Sequence, residues 1–241
     1  PYKKDSTPPQ ITSSLASRNW GTGNISVALS ASDSLTDIKE KKYAWTSSQS
    51  VPASGWADFS NAQPIIQSSD GVYYLHAKAE DEVGNLSSVF FGPYKKDSTP
   101  PVISVNVSSR DWMSSNISIV PTVSDSGSGI KTLQYKWTNS TQTPTSGWTN
   151  FSSGQSLSQG SDGTWYLHIR AEDNIGNIKN SYFGAYKKDS AIPTITNPVS
   201  ASFNPYLASI TLNFSFSDAL SGINAVEARI EKTDGTVVKT L

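Results

Sequence analysis

The chain comprises 241 residues, of which 16% are charged and 36% apolar, with ten Tyr, seven Trp, eight Phe, a formal net charge of −1 and no cysteine. This near-neutral balance leaves no electrostatic footprint for nucleic acid or an anionic membrane surface, and the missing cysteines exclude disulfides, thiolate zinc sites and cysteine catalysis together. No apolar run approaches the roughly 18 residues that a membrane-spanning helix needs.

An internal repeat decides the architecture before any local pattern does. Pro1-Tyr2-Lys3-Lys4-Asp5-Ser6-Thr7-Pro8-Pro9 stands again at Pro93 to Pro101 and, altered, at Ala185 to Pro193, a spacing of 92 residues in both steps. Between the first two copies no gap is needed: Trp20 matches Trp112, Tyr43 and Trp45 match Tyr135 and Trp137, Trp56 matches Trp148, and His76 matches His168. The prolines fix φ and push the preceding residue extended, so each copy has the character of a joint. Residues 1–6 are accordingly expected to close a preceding repeat or linker, 7–96 to form the first repeat, 97–188 the second and 189–241 an incomplete third. A chain that opens on a joint and stops part-way through a unit is expected to be cut from something longer.

The first repeat begins with a short extended piece at Gln10 to Ser13. In Asn24 to Ser32, Ile25, Val27 and Leu29 alternate with small residues, the pattern of a half-buried strand; in the third copy Ile210, Leu212, Phe214 and Phe216 share one face in the same way. A turn at Asp33 to Asp37 leads to a strand carrying Tyr43 and Trp45. The Ser- and Pro-rich stretch from Ser47 to Gly55-Trp56 reads as loop, and a weaker strand lies around Pro64 to Gln67. Asp70-Gly71 then turns the chain into its longest strand, Val72 to Ala79, with Tyr73, Leu75, Ala77 and Ala79 on one face and Tyr74, His76 and Lys78 on the other. Gly84-Asn85 makes a hairpin turn, and Leu86 to Tyr94 returns to the joint. About seven short strands per repeat and no helical period predict an all-β chain of antiparallel sandwiches.

Specific residues add a family resemblance. Asp70-Gly71-Val72-Tyr73-Tyr74-Leu75 resembles the start of strand F in immunoglobulin-like domains, with Leu75 where a disulfide cysteine would be, and Trp45 resembles the core tryptophan of strand C. Asp-Ser-Thr-Pro-Pro at the joints, Ser32-Asp33 ahead of Ile38, and Ala79-Glu80-Asp81 ahead of Gly84-Asn85 are similar to the bacterial immunoglobulin-like tandem repeats of large secreted adhesins, surface-layer-associated proteins and polysaccharide-degrading enzymes. The resemblance covers both full repeats and the first half of the third, and it implies tandem immunoglobulin-like sandwiches in a secreted or cell-surface protein. Trp165 stands where the first repeat has Tyr73, so a tyrosine corner at that position cannot occur twice; Tyr74 and Tyr166 are the alternatives.

Three sets of residues are candidates for chemistry. His76 and His168 are one position in two copies, with no nucleophile motif nearby, and are expected to be structural. In an immunoglobulin-like sandwich the loops after the second and sixth strands emerge at the pole where the chain enters. Asp5, Asp33, Glu80 and Asp81 would therefore converge at the first joint, Asp97, Asp125, Glu172 and Asp173 at the second, and Asp189 and Asp218 at the third. Calcium prefers six to eight oxygen ligands and would stiffen such joints. Cadherins resemble this arrangement, but their Asp-x-Asn-Asp linker is replaced here by Lys-Lys-Asp-Ser, whose lysines oppose a cation. The alternative is that the aspartates accept backbone amides, as aspartate does in turns. Finally, Trp45 and Trp137 fit core positions, whereas Trp20, Trp112, Trp56 and Trp148 in polar loops could pack or could stack on sugars. The expected role is a non-catalytic spacer or stalk presenting a neighbouring part of its parent polypeptide, with a glycan or a host or cell-wall surface as further partners; the alternative is an accessory carbohydrate-binding module of a secreted glycan-acting enzyme.

Overall fold

The computed structural model describes residues 4–196, 214–227, 229–231 and 236–240. Pro1, Tyr2 and Lys3, and the Ile210 and Leu212 positions of the third copy's expected strand, lie outside the described residues. The chain divides into two compact units, one of Pro1–Ile103, Val123–Gln134 and Arg170–Asn180, the other of Ser104–Thr122, Tyr135–Ile169 and Ser181–Leu241. The first repeat lies whole within the first unit, together with the segments of the second repeat that hold Asp125 and Asp173.

The first repeat contains β1 (Gln10–Ser13), β2 (Ile25–Ser32), β3 (Ile38–Thr46), β4 (Ala57–Asp58), β5 (Pro64–Gln67), β6 (Gly71–Asp81) and β7 (Leu86–Lys96). They form a three-stranded sheet β1-β2-β5 and a four-stranded sheet β4-β3-β6-β7, every named pair antiparallel. Alternation decides the inner faces. Ile25, Val27, Leu29 and Ile65 from one sheet meet Leu75, Ala77, Ala79 and Tyr94 from the other, with Phe59 from a loop and Tyr43 and Trp45 packed alongside. This strand grouping makes the repeat an immunoglobulin-like antiparallel sandwich.

One irregularity shapes the exit to the joint. In the β6–β7 ladder Tyr73 pairs with Tyr94 and Leu75 with Phe91, so β7 holds two residues, Gly92 and Pro93, opposite the single Tyr74. Gly92 has φ +125°, and a Cβ there would stand 2.9 Å from the Tyr73 carbonyl oxygen, which explains a glycine directly before the joint.

The second repeat contains β8 (Val102–Val105), β9 (Arg110–Met113), β10 (Ile117–Ile119), β11 (Pro121–Ser124), β12 (Ile130–Thr138), β13 (Thr149–Asn150), β14 (Leu157–Gln159), β15 (Gly163–Asp173) and β16 (Ile178–Lys188). Its largest sheet has the order β13-β12-β15-β16-β9. Where the first repeat has the single strand β2, the second has β10 and β11. Pro121 replaces Leu29 and brings no amide to the ladder; the Val120 amide before it goes to the Asn106 side chain at 2.8 Å, as the equivalent Ala28 amide goes to the Ser14 hydroxyl in the first repeat. In the third copy β17 (Thr194–Thr196) pairs with β18 (Ser215–Ser217), and β19 (Arg229–Glu231) with β20 (Val237–Thr240).

The corner at the start of the long strand departs from expectation. The Tyr73 hydroxyl donates to the Asp70 carbonyl at 3.2 Å, and at the same position the Trp165 indole N–H donates to the Ser161 carbonyl at 3.0 Å. Tyrosine and tryptophan thus supply one function with different donors. Tyr74 and Tyr166, the expected alternatives, pack edge-on against Phe90 and Tyr182 instead.

Candidate functional site: the joint

In the run Tyr94-Lys95-Lys96-Asp97-Ser98-Thr99 successive residues do different work. Tyr94 is fully buried, meets Trp45 edge-on at 5.4 Å and donates its hydroxyl to the Leu15 carbonyl. Lys95 places its ammonium 5.8 Å from the Trp20 ring centroid, a cation–π contact. Lys96, only 4% exposed, reaches Asp70 at 2.5 Å. Asp70 collects in addition the Ser98 amide at 2.9 Å and the Thr99 hydroxyl at 2.7 Å.

Asp97 is the hook. Its amide donates to the Gly21 carbonyl of the first repeat at 3.1 Å, while its carboxylate accepts the Ser128 amide of the second at 2.6 Å and the Thr99 amide at 3.1 Å. It is 1% exposed. Gly127 makes the approach feasible, since a Cβ there would lie 2.3 Å from the Asp97 carboxyl carbon. Asn177 adds a contact to the Asp97 carbonyl at 3.5 Å.

Asp97, Asp125 and Asp173 bring carboxylate oxygens within 4.8 Å of one another, and Asp5, Asp33 and Asp81 do the same at the first joint. All six carboxylates receive donors. Asp125 accepts the Gly127 and Gly129 amides, and Asp173 accepts the Ile175 and Asn177 amides and the Asn177 side chain. Asp33 accepts Leu35 and Thr36 amides, Asp5 the Thr7 amide and Thr36 hydroxyl, and Asp81 the Val83 and Asn85 amides and the Asn85 side chain. Amide dipoles therefore balance the crowded charge. The residues have the oxygen chemistry a hard cation takes, with part of their lone pairs already occupied.

The neighbouring glutamates stay out of both clusters. Glu80 pairs with Lys39 at 2.6 Å and Glu172 with Lys131 at 2.7 Å. The long strand runs through Asp81, so alternation turns Glu80 and Asp81 to opposite faces. At the third joint Asp189 repeats the hook: its amide donates to the Met113 carbonyl at 3.0 Å and its carboxylate accepts the Ser221 amide at 3.0 Å. Asp218 accepts the Leu220 and Gly222 amides. Lys188 pairs with Asp162, which also accepts the Ser190 hydroxyl.

The histidines brace a loop. His76 donates from Nε2 to the Ser48 carbonyl at 2.9 Å and His168 to the Ser140 carbonyl at 2.8 Å; both are buried. Trp20, Trp56, Trp112 and Trp148 are all half-buried. Lys78 lies 4.9 Å above Trp56 and Lys187 5.9 Å above Trp112.

The carboxylates give the joint a defined pH response. The Lys96 ammonium holds Asp70 well below the usual value of 3.8, and the Ser221 hydrogen bonds lower Asp189. For Asp173 burial is the largest single influence and opposes ionisation, but bonds from Asn177, Ile175 and Gly176 together outweigh it and lower the value. A depressed carboxyl contributes stability that is complete above its unfolded value and is lost as pH falls towards the folded one. The melting midpoint, followed by circular dichroism, should accordingly fall as the pH is taken below about 4. A midpoint that rises on that acidification contradicts the assignment.

No family model and no curated protein matches the sequence. Among solved structures, the chain is similar to fibronectin(III)-like modules of Clostridium thermocellum CbhA, with 15% identity over 74% of this chain and 95% of that one and a TM-score of 0.30. It is also similar to three N-terminal domains of the outer capsid protein Hoc of bacteriophage RB49 (10%, 97% and 80%, TM-score 0.35) and to murine CEACAM1b (12%, 75% and 98%, TM-score 0.26).

Proposed function

We propose that the chain is a non-catalytic spacer of a larger secreted or cell-surface protein, built from immunoglobulin-like domains at 7–96 and 97–188 with the first half of a third copy at 189–241, and that its joints are braced by hydrogen bonds to aspartate. The observation that carries this is Asp97, one buried residue bonded by its amide to Gly21 and by its carboxylate to Ser128. A tether whose neighbours moved freely would have no use for a buried charge committed to both sides. The two histidines, the residues best suited to acid–base work, are committed to loop carbonyls. Among the described residues no helix is long and apolar enough to cross a membrane.

Nitrogen-15 relaxation tests the brace. The first and second repeats of the wild-type chain should tumble with one correlation time in the presence of EGTA, and Asp97→Ala should give them separate, shorter ones. Independent tumbling of the wild type contradicts the proposal. A second reading, calcium held by Asp97, Asp125 and Asp173, is favoured by their 4.8 Å grouping; it requires EGTA to lower the melting midpoint, whereas the amide brace leaves the midpoint unchanged. A glycan platform on the loop tryptophans draws less support, because lysine ammonium groups lie over the rings of Trp20, Trp56 and Trp112 where a pyranose would stack.

A further inference from the structure

We propose that the open edge of β7 in the first repeat, from Leu86 to Phe90, is an interaction surface whose partner is the same edge of a second copy of this chain, the two strands lying antiparallel about Ser88. β7 is the last strand of its sheet. The Asp81 amide donates to the Asn85 carbonyl at 3.1 Å, and the ladder continues with Glu80 opposite Leu86 and Ala79 opposite Ser87. Antiparallel alternation therefore gives the bonds with β6 to Ser87, Val89 and Phe91 and turns the amides and carbonyls of Leu86, Ser88 and Phe90 away from it. Gly92 is next in that outward series, and its amide is taken by the Ala16 carbonyl at 2.8 Å. Among the described residues, none takes the outward groups of Leu86, Ser88 or Phe90. Their side chains are exposed too, Leu86 by 58% and Phe90 by 42%.

The second repeat shows the same edge in a guarded form. Ile178, Asn180 and Tyr182 hold its outward positions, and an exposed lysine, Lys179, stands where the first repeat has Ser87. Alternation points Lys179 to the inner side of the strand, and an inward-pointing charge on an edge opposes pairing with another chain. Two such edges joined about Asn180 would make the two Lys179 side chains diagonal neighbours, about 7–8 Å apart. The first repeat carries no charged residue from Leu86 to Tyr94. Its edge is also self-complementary. Pairing about Ser88 sets Leu86 against Phe90 twice and Ser88 against Ser88, and each facing pair exchanges both backbone bonds. The ladder fits the room available: at one end the chain turns back at Gly84-Asn85, and at the other Ala16 covers the strand from Gly92 onward. The same register carries the exposed turn with Glu82 towards the second copy's Arg18 and Lys95, so the ends meet with opposite charge. A ladder this short buries less than the roughly 1,200 Å² of lasting complexes, so the dimer forms only at high local concentration. Two copies joined in this way run in opposite directions within one continuous sheet. The contact needs neither the joint brace nor the spacer role.

Sedimentation equilibrium of the full chain tests the pairing. The wild type should pass from monomer to dimer with a dissociation constant between about 10 µM and 1 mM. Ser88→Pro removes the amide that the two copies exchange without taking a bond from β6, and should raise that constant about tenfold or more. Ser87→Lys copies the guard of the second repeat and should do the same. If the first repeat of Ser88→Pro does not fold, Ser87→Lys carries the test, because the second repeat already holds lysine at that place. Hydrogen exchange at the Leu86, Ser88 and Phe90 amides should slow as the wild-type concentration rises, while Ser87 and Val89 keep their rates. A chain that stays monomeric to about 1 mM takes no second copy at this edge, and dimerisation unchanged in Ser87→Lys places the contact on another surface; either result would overturn the pairing.

Discussion

Tyr94→Ala should cost the first repeat about 3–5 kcal/mol, the range for deleting a fully buried ring. Tyr94 is the last core residue before the joint. It fills the space between the sheets, meets Trp45 at 5.4 Å and donates its hydroxyl to Leu15, so the substitution removes packing, an aromatic contact and a hydrogen bond together. A loss of this size is a large fraction of the stability of a domain near 90 residues. Urea unfolding of the full chain should therefore split into two transitions, the first repeat melting well before the second. Tyr94→Phe, which keeps the ring, should cost only about 1 kcal/mol. Equal losses in the two variants contradict a core role for the ring.

Asp173→Ala should destabilise the second repeat by about 3 kcal/mol. The side chain is completely buried and its removal strands the amides of Ile175 and Asn177 and the Asn177 carboxamide. Asp173→Asn separates charge from shape: its carbonyl oxygen can keep both backbone amides that Oδ1 accepts, while its amide group faces only the Asn177 carboxamide, so it should recover the larger part of the loss but not all of it. Full recovery by asparagine would show that the negative charge contributes nothing there. Either outcome is read from the midpoint of the second-repeat transition in urea.

The strands were legible because their signal is local. Ile25, Val27 and Leu29, or Leu75, Ala77 and Ala79, alternate with period two, and each set is buried. The pole that gathers Asp97, Asp125 and Asp173 was legible through the fold resemblance, since the loops of such a sandwich emerge together. Which acids enter was not, because a strand expected over Val72 to Ala79 leaves both Glu80 and Asp81 in the loop, free to face the cluster. Continued to Asp81, the same alternation puts Asp81 inward and Glu80 outward, beside Lys39. Read from sequence, the joint lysines oppose a cation at the acid cluster, yet Lys96 belongs to Asp70 and Lys95 to Trp20. Those partners lie 26 and 75 residues away in the chain, and no local pattern brings them together. The break at Pro121 was readable in principle from the missing amide. The parallel pairing of β9 with β16 was not, because it joins segments more than 70 residues apart that carry no common motif.

The brace itself is tested most directly at the Ser128 amide, by residue-resolved hydrogen exchange on the full chain with EGTA present. Ser128 should be protected in the wild type, and Asp97→Ala should speed its exchange by about tenfold or more, the equivalent of about 1.4 kcal/mol, while amides within Ile130–Thr138 keep their rates. Protection of Ser128 that survives Asp97→Ala, or that disappears when calcium is chelated, would contradict a joint held by aspartate and backbone amides alone.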